Sequence, residues 1–439
     1  MENQQENPEP MNIIERGQDS VQKLRALAQR TVWDWRRCPQ CGGTQTAKNG
    51  GRVVRPIFLD GRRPVRIQRH TCRGCGKFYD EQYAFLVRGS WYAREVHRYA
   101  VDEWMHLRGS LRRVAEFVRS WAGRQERWWM WHSWEQRPEG EGFCRFHHST
   151  LHRWLDRAGR KAEKSVEGQL QGLRCSGQMG TDGLWARLRG GGKGVLLALV
   201  DSVTGVIWGT VVVAGEEMSV SWEKLFARGQ KMGLALEALS GVTSDGAQGL
   251  LSYLRGSLGW VHHQRCVWHV WRNLAGDLAK AVARAAKDLA EDAARAMEKT
   301  VRQELTALLH GVIDASGYEQ AELALAQLKA HPFGGPLAKK LNEQFDRLLY
   351  PLLPCHQGLV RISPEWLWRD FRLRLSHGRN HGTDERLDRA GLLWAIYHNF
   401  TPAQRRSERK RQYKHPGQSP LEVAGGALEE ISYLDALGV

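Results

Sequence analysis

Long apolar runs are absent from this 439-residue sequence, in which no 18 consecutive residues are apolar. A membrane-spanning helix needs about 20 such residues, so the sequence argues against a membrane protein. The first ten residues are acidic and polar, which argues against a secretory signal peptide. Proline is scarce at 14 residues while 42% of residues are hydrophobic, so we expect folded domains rather than a disordered chain.

Two common catalytic patterns are also missing. No arrangement typical of a serine or cysteine nucleophile with its base is found, and the glycine-rich stretch Gly190–Gly194 lacks the spacing of a phosphate-binding P-loop. Covalent hydrolases and P-loop nucleotide hydrolases are therefore not favoured. At roughly 100–200 residues per domain, the length predicts two to four domains.

Positive charge is in excess and unevenly distributed. Lys and Arg number 64 against 48 Asp and Glu, a formal net charge of +16. The first 170 residues hold 31 basic and 20 acidic residues, and a second basic run near the C-terminus includes Arg405, Arg406, Arg409 and Lys410. Such a balance favours a polyanionic partner, most simply nucleic acid. The C-terminal run could equally be a solvated helix face.

Four of the eight cysteines form two C-x2-C pairs, at Cys38, Cys41, Cys72 and Cys75. This spacing is typical of tetrahedral zinc coordination by thiolates. The residues between the pairs read as short strands, so residues 31–84 are predicted to form a zinc ribbon that binds Zn²⁺. The alternative is a set of buried cysteines without a metal, which leaves the spacing unexplained.

Helical patterns follow the predicted ribbon. Tyr92–Trp104 has a helical apolar face, Ser110–Val118 starts behind a capping serine, and Ser149–Gly159 is short, capped and basic. We interpret residues 85–165 as a helix-turn-helix DNA-binding domain, with Arg153 and Arg157 of the last helix contacting DNA. The tryptophan-rich segment Trp128–Trp134 interrupts this motif; it either stacks on bases or packs a small core.

From about residue 177 the pattern becomes mixed α/β. A predicted strand contains Asp182, a hairpin follows through Asp201, and a further strand ends at Asp245 before a helix. The two acids, Asp182 and Asp245, would occupy strand positions that can neighbour each other. Either acid could instead be structural: Asp182 as a turn residue before Gly183, and Asp245 as a helix N-cap.

Four blocks in this region resemble the Mutator-like transposases, which belong to the DDE group of the RNase H-like superfamily. They are Gly-Thr-Asp-Gly at 180–183, Val-Asp-Ser-Val-Thr-Gly at 200–205, Thr-Ser-Asp-Gly-Ala-Gln-Gly-Leu at 243–250 and Gln-Arg-Cys-Val-Trp-His-Val-Trp-Arg-Asn-Leu at 264–274. The resemblance implies a transposase of a bacterial insertion sequence. Its fold would be multidomain α/β, with an RNase H-like mixed sheet catalytic domain interrupted by an all-helical insertion.

The resemblance also divides the chain. After a tail at 1–30, the zinc ribbon and the helical DNA-binding domain, the catalytic domain would occupy 172–271 and 366–439, and the insertion 272–365. Its three metal-binding carboxylates would be Asp182, Asp245 and Glu385. The match around Glu385 is loose, because only Thr383 and the Glu385-Arg386 pair agree with the family pattern. Rivals for the third acid are Asp384, Asp388 and Glu408.

In such a family the carboxylates hold two Mg²⁺ or Mn²⁺ ions roughly 3.5–4 Å apart. Water would cleave one strand, and the freed 3′-hydroxyl would attack target DNA. Cys266 and His269 belong to the family signature beside the active site, and their role stays open.

The implied partners are double-stranded DNA, as terminal inverted repeats and as target, and further copies of the chain in a homo-oligomer. The implied location is the bacterial cytoplasm, on the nucleoid. Two other functions stay open: a zinc-dependent DNA-binding regulator without catalysis, and a nuclease that cuts without joining.

Overall fold

The computed structural model describes most of the chain. The described residues are 36–59, 61–62, 64–107, 110–119, 146–188, 192–215, 217–352, 361, 368, 371–372, 383–402, 415, 417–426 and 432–437. The chain divides into two compact units, Met1–Trp154 and Leu155–Gly438. None of the helices in these ranges combines the length and the apolar character that a membrane crossing requires.

The first unit contains a small antiparallel sheet followed by helices. Its strands are β1 (Thr46–Val54), β2 (Ile57–Phe58), β3 (Gly61–Arg62), β4 (Val65–Cys72) and β5 (Phe78–Asp80). Strands β1, β4 and β5 form one sheet in that order, while β2 pairs with β3. Helices α1 (Arg94–Leu107), α2 (residues 111–119) and the start of α3 (His148–Leu170) follow.

Helix α3 continues 11 residues beyond Gly159, where the sequence predicts its end. Glycine often ends a helix, but here its missing side chain serves a close contact. A Cβ atom at Gly159 would lie 2.7 Å from the Cβ of Arg389. The glycine therefore makes room for a neighbouring element rather than stopping the helix.

The second unit is built on a five-stranded mixed sheet, which confirms the predicted mixed α/β character. Its strands are β6 (Gln178–Arg187), β7 (Lys193–Asp201), β8 (Ile207–Ala214), β9 (Gly241–Ser244) and β10 (His262–Arg265). The spatial order is β10-β9-β6-β7-β8, with β6, β7 and β8 antiparallel and β9 and β10 parallel to β6. Strand β6 is thus central and has neighbours on both sides.

Helices cover both faces of this sheet. They are α4 (Ser219–Lys231), α5 (Gln248–Ser257) and α11 (Asp384–Phe400). Gly229 of α4 approaches Leu199, whereas Gly391 of α11 approaches Leu196. Residues of odd and even number on β7 point to opposite faces, so α4 and α11 lie on opposite sides of the sheet.

A separate group of helices lies between β10 and α11 in the sequence. These are α6 (Val267–Ala285), α7 (Glu291–Ile313), α8 (Tyr318–Ala330), α9 (Gly335–Asn342) and α10 (Phe345–Leu349). Their buried faces form one hydrophobic cluster that runs from Val270 to Leu349 and includes no residue of the sheet. Two short helices, α12 (Pro420–Val423) and α13 (Tyr433–Ala436), lie near the C-terminus, and Leu236–Ala238 and Tyr350–Leu352 form single 3-10 turns.

Candidate active site

The strand register brings the two predicted acids side by side. Parallel strands β6 and β9 pair Met179 with Val242 and Gly180 with Thr243. Two residues further along, the same register sets Asp182 beside Asp245, and neighbouring strands lie about 4.8 Å apart. Asp182 and Asp245 are far apart in the sequence, but the pairing of β6 with β9 brings their carboxylates together.

Asp182, Asp245 and His269 form one cluster. One carboxylate oxygen of each acid and a ring nitrogen of His269 all lie within 4.8 Å of one another. Asp182 is 5% exposed and His269 is 2% exposed, whereas Asp245 is half-buried. His269 comes from the first turn of α6, which begins directly after β10. The cluster thus joins three neighbouring elements at one end of the sheet.

The local backbone shows that Asp182 is not a turn residue and that Asp245 is not a helix N-cap. Asp182 lies inside β6, paired with Ala198, rather than in a turn. Asp245 does not cap α5, because the N-cap of that helix is Ala247. Its carboxylate instead accepts a hydrogen bond from the Ala247 N–H at 3.0 Å. This bond fixes the turn after β9 and so orients the Asp245 side chain.

Glycine is required immediately after Asp245. Gly246 has φ of +81°, and a Cβ there would collide with the guanidinium of Arg265. Burial lowers the pKa of Arg265, and the negative charge of Asp245 acts against that effect. The Arg265 Nε atom donates to the Gln344 side chain at 3.1 Å. A cationic group is thereby held in place beside the acidic cluster.

The donor atoms of this cluster fit a divalent cation. Carboxylate oxygens are the ligands that Mg²⁺ and Mn²⁺ prefer, and imidazole nitrogen also binds transition metals. The spacing within 4.8 Å is short enough for all three side chains to reach one ion. Two buried or half-buried acids in close proximity also repel each other, and a cation between them would relieve that repulsion.

The predicted third acid, Glu385, is not a member of this cluster. Glu385 is exposed in the first turn of α11. Its pKa is lowered, mainly by a hydrogen bond with the Thr383 side chain. Thr383 caps the helix by accepting from the Arg386 N–H at 3.4 Å. Helix α11 nevertheless lies on the Asp182 face of the sheet, because Leu184, two residues from Asp182, packs in one cluster with Trp394 of α11. Glu385 as a catalytic residue stays a prediction.

The rivals of Glu385 have different surroundings. Asp388 accepts from the Arg228 guanidinium at 2.8 Å and from the Val212 N–H at 3.0 Å, contacts that suit a structural residue. Asp384 lies against Gly194: a Cβ atom added to Gly194 would lie 3.3 Å from the Oδ1 atom of Asp384. Glu408 lies outside the described residues.

Glu217 is an acidic residue near the cluster that the sequence analysis missed. It precedes α4, and its Oε1 would lie 2.5 Å from a Cβ at Gly183. Burial, and then the negative charge of Asp245, raise the pKa of Glu217 to about 7. The only sequence signal is an acidic residue just ahead of a helix, which is too common to single it out.

Cys38, Cys41, Cys72 and Cys75 form the second cluster of candidate metal ligands, with sulfur atoms within 4.8 Å of one another. The Cys38–Cys75 and Cys41–Cys72 sulfur pairs are each 3.6 Å apart. Four thiolates around zinc at about 2.3 Å have sulfurs about 3.8 Å apart, so the spacing fits a zinc ion.

Two matching turns build this cysteine cluster. The Gly42 N–H donates to the Cys38 carbonyl, the Gly76 N–H donates to the Cys72 carbonyl, and both bonds are 2.9 Å long. Gly42 and Gly76 have φ near +70°, a conformation that favours glycine. The backbone N–H groups of Cys41 and then Gln40 lower the pKa of Cys38 to about 7, whereas side-chain hydrogen bonds with the other three cysteines, Cys72 first, raise the pKa of Cys41 to about 12.

The predicted DNA contacts are only partly described. Arg153 and Arg157 are exposed and four residues apart on α3, so their side chains lie on the same face of the helix. Trp128–Trp134 lies outside the described residues, as does the basic run with Arg405, Arg406, Arg409 and Lys410.

Comparison with known families adds an independent observation. Residues 193–328 match the family of Mutator transposases. The chain carries a Mutator family transposase domain. The match includes Asp245 and His269 and begins just after Asp182. It confirms the predicted Mutator-like transposase, and because transposases process DNA, the domain is that of a DNA-processing enzyme. No curated protein matches this sequence.

Proposed function

We propose that this chain is a DNA transposase that binds element ends and catalyses strand cleavage and strand transfer with a divalent cation. The observation that carries the proposal is the cluster of Asp182, Asp245 and His269 in and beside the Mutator transposase domain. Mg²⁺ or Mn²⁺ would be held by the two carboxylates. Glu385 would be the third acid, supplied by α11 from the same face of the sheet.

Once bound, the cation would neutralise charge on the phosphodiester and make water a stronger nucleophile. The protein residues then have three tasks. Asp182 and Asp245 hold the ion, the buried side of the cluster limits access of other water molecules, and Arg265 offers positive charge close to Asp245. An arginine in this place can bind a non-bridging phosphate oxygen of the DNA strand.

The N-terminal region of the chain has features that suit DNA binding. We propose that Cys38, Cys41, Cys72 and Cys75 bind Zn²⁺ and form a zinc ribbon. Helices α1 to α3 would form the helix-turn-helix domain, with Arg153 and Arg157 on its DNA-facing side. Phosphate contacts from such residues, and from the C-terminal basic run, would make binding weaker as salt rises.

The test is an assay with the full chain and duplexes taken from the DNA that flanks its gene on each side. With Mg²⁺ present, we expect end binding, strand cleavage and joining to a plasmid. Asp182→Asn and Asp245→Asn should keep binding but lower cleavage by about 100-fold or more, since each removes charge that holds the ion. Asp292→Asn, an exposed position on α7, is the matched control and should retain activity.

Other outcomes point to the alternative functions. Cleavage without joined products would indicate a nuclease, and end binding without cleavage in the unsubstituted protein would indicate a regulator. Full cleavage by Asp182→Asn would refute the assignment of the site.

A further inference from the structure

Glu217 lies close to the proposed cation site, although it is neither one of the predicted carboxylates nor a member of the cluster of Asp182, Asp245 and His269. It stands in the connection between β8 and α4, three residues after β8 ends. A Cβ on Gly183 would lie 2.5 Å from its Oε1 and 3.0 Å from its Cδ. Gly183 directly follows Asp182, so the Glu217 carboxylate occupies the space beside the strand that carries the first acid.

A second glycine fixes the backbone of the same residue. A side chain on Gly249, in the first turn of α5, would collide with the carbonyl oxygen of Glu217. Helix α5 begins three residues after Asp245. The Glu217 backbone is therefore held against the element that follows Asp245, while its carboxylate is held against the element that contains Asp182.

A purely structural role does not account for this placement. The N-cap of α4 is Met218, and no side chain caps that helix. Among the ion pairs of the described residues, none involves Glu217. Its main electrostatic neighbour is another acid, Asp245. A partly buried carboxylate beside a second carboxylate is unfavourable unless a cation joins them or one of the two is protonated.

We infer that Glu217 strengthens divalent cation binding as a negative charge just outside the ligand cluster, acting on the ion that Asp182 and Asp245 hold. This inference rests on the proposed function, because it assumes that the Asp182–Asp245 pair binds the ion. Glu217 adds negative charge from the face of the sheet covered by α4, opposite the face covered by α11. The ion would then be flanked by acidic groups from both sides of the sheet.

The experiment measures Mn²⁺ binding to the full chain by electron paramagnetic resonance, which reports free Mn²⁺ directly and does not depend on activity. Glu217→Gln removes the charge with little change of shape, and we expect affinity for Mn²⁺ to fall about 10-fold or more. Glu217→Asp keeps the charge and should give an intermediate affinity. Glu223→Gln, at an exposed position on α4, is the matched control and should bind like the unsubstituted protein.

Asp182→Asn separates this inference from the proposed function. If Asp182→Asn loses Mn²⁺ while Glu217→Gln binds normally and cleaves DNA at the usual Mg²⁺ concentration, the inference about Glu217 is wrong and the proposed site stands. If Asp182→Asn binds Mn²⁺ normally, the proposed site itself is wrong. Thermal melting of each variant identifies misfolding, and a misfolded Glu217→Gln leaves Glu217→Asp to decide: normal Mn²⁺ affinity in that variant refutes the inference.

Discussion

His263 is a buried histidine close to the proposed site but without a part in it. Its Nε2 atom is 2.8 Å from the hydroxyl of Ser244, the last residue of β9. Burial, followed by the positive charges of Arg347 and Arg265, lowers the pKa of His263 to about 3. The folded protein therefore keeps this ring neutral at pH values where an unfolded chain would protonate it.

We expect this histidine to make the protein less stable in acid. The pKa of His263 is lower in the folded state than its usual 6.5. The stability that depends on the neutral ring is therefore fully present above about pH 6.5 and is lost as the pH falls towards 3. At about pH 5 the loss should be about 2 kcal/mol. Urea unfolding at neutral pH and at about pH 5 measures this difference in the free energy of unfolding.

The control is the neighbouring residue. His263→Gln should show a smaller difference in unfolding free energy between neutral and acidic pH, and His262→Gln, at the exposed neighbouring position, should keep the original difference. Equal pH dependence in both variants would contradict the assignment to His263.

Individual site residues differ in how far a sequence can reveal them. Asp182 and Asp245 were predictable because each stands in a recognisable strand pattern, and the parallel register then brings them together. His269 was visible as part of a motif, but its distance from the acids depends on where α6 begins. Glu217 was not predictable, since its position depends on two glycines that are far from it in sequence.

Among the elements, α11 is attached to the sheet by a buried side chain. Asn399 is 2% exposed, accepts from the Ile207 N–H at 2.8 Å and donates to the Ile207 carbonyl at 3.0 Å. One amide thus satisfies both backbone groups of the first residue of β8. The contact joins residues 192 positions apart.

Removal of this amide should cost much of the stability of the second unit. Asn399→Leu leaves two buried backbone groups without partners, and we expect a loss of about 3 kcal/mol in unfolding free energy. Asn273→Ala, an exposed position on α6, should change stability by less than about 0.5 kcal/mol. Urea unfolding followed by tryptophan fluorescence makes the comparison, and equal losses in the two variants would exclude this role.

Elements with a clear periodicity were predictable, and their ends were less so. The helix predicted over Tyr92–Trp104 runs from Arg94 to Leu107, and β9 ends at Ser244, one residue before the predicted end at Asp245. Helix α3 departs from expectation because the reason for Gly159 is a tertiary contact with Arg389. No local pattern can indicate such a contact.

At the scale of the whole molecule, separate sources of stability serve the two units. The cysteine cluster lies in the first unit, and the large hydrophobic clusters around the sheet and the helices α6–α10 lie in the second. The small sheet of the first unit has few buried residues of its own. A metal ion would therefore contribute most of its stability.

We expect a zinc-selective chelator to unfold the small sheet of the first unit and leave the second unit folded. Elemental analysis should find one zinc per chain, and calorimetry should show loss of one transition after chelation. Cys75→Ser should lose zinc, while Cys175→Ser, whose thiol is outside the cluster, should keep it. A zinc-free native protein with unchanged melting would show that the four cysteines are structural without a metal.

The late position of α11 has a consequence for synthesis of the protein on the ribosome. The sheet is nearly complete once β10 has been made, yet the helix that covers one of its faces begins more than 100 residues later. At about 5–20 residues per second, that face stays open for several seconds or more. The apolar side chains on that face of the sheet would thus remain exposed on the nascent chain until translation is almost finished.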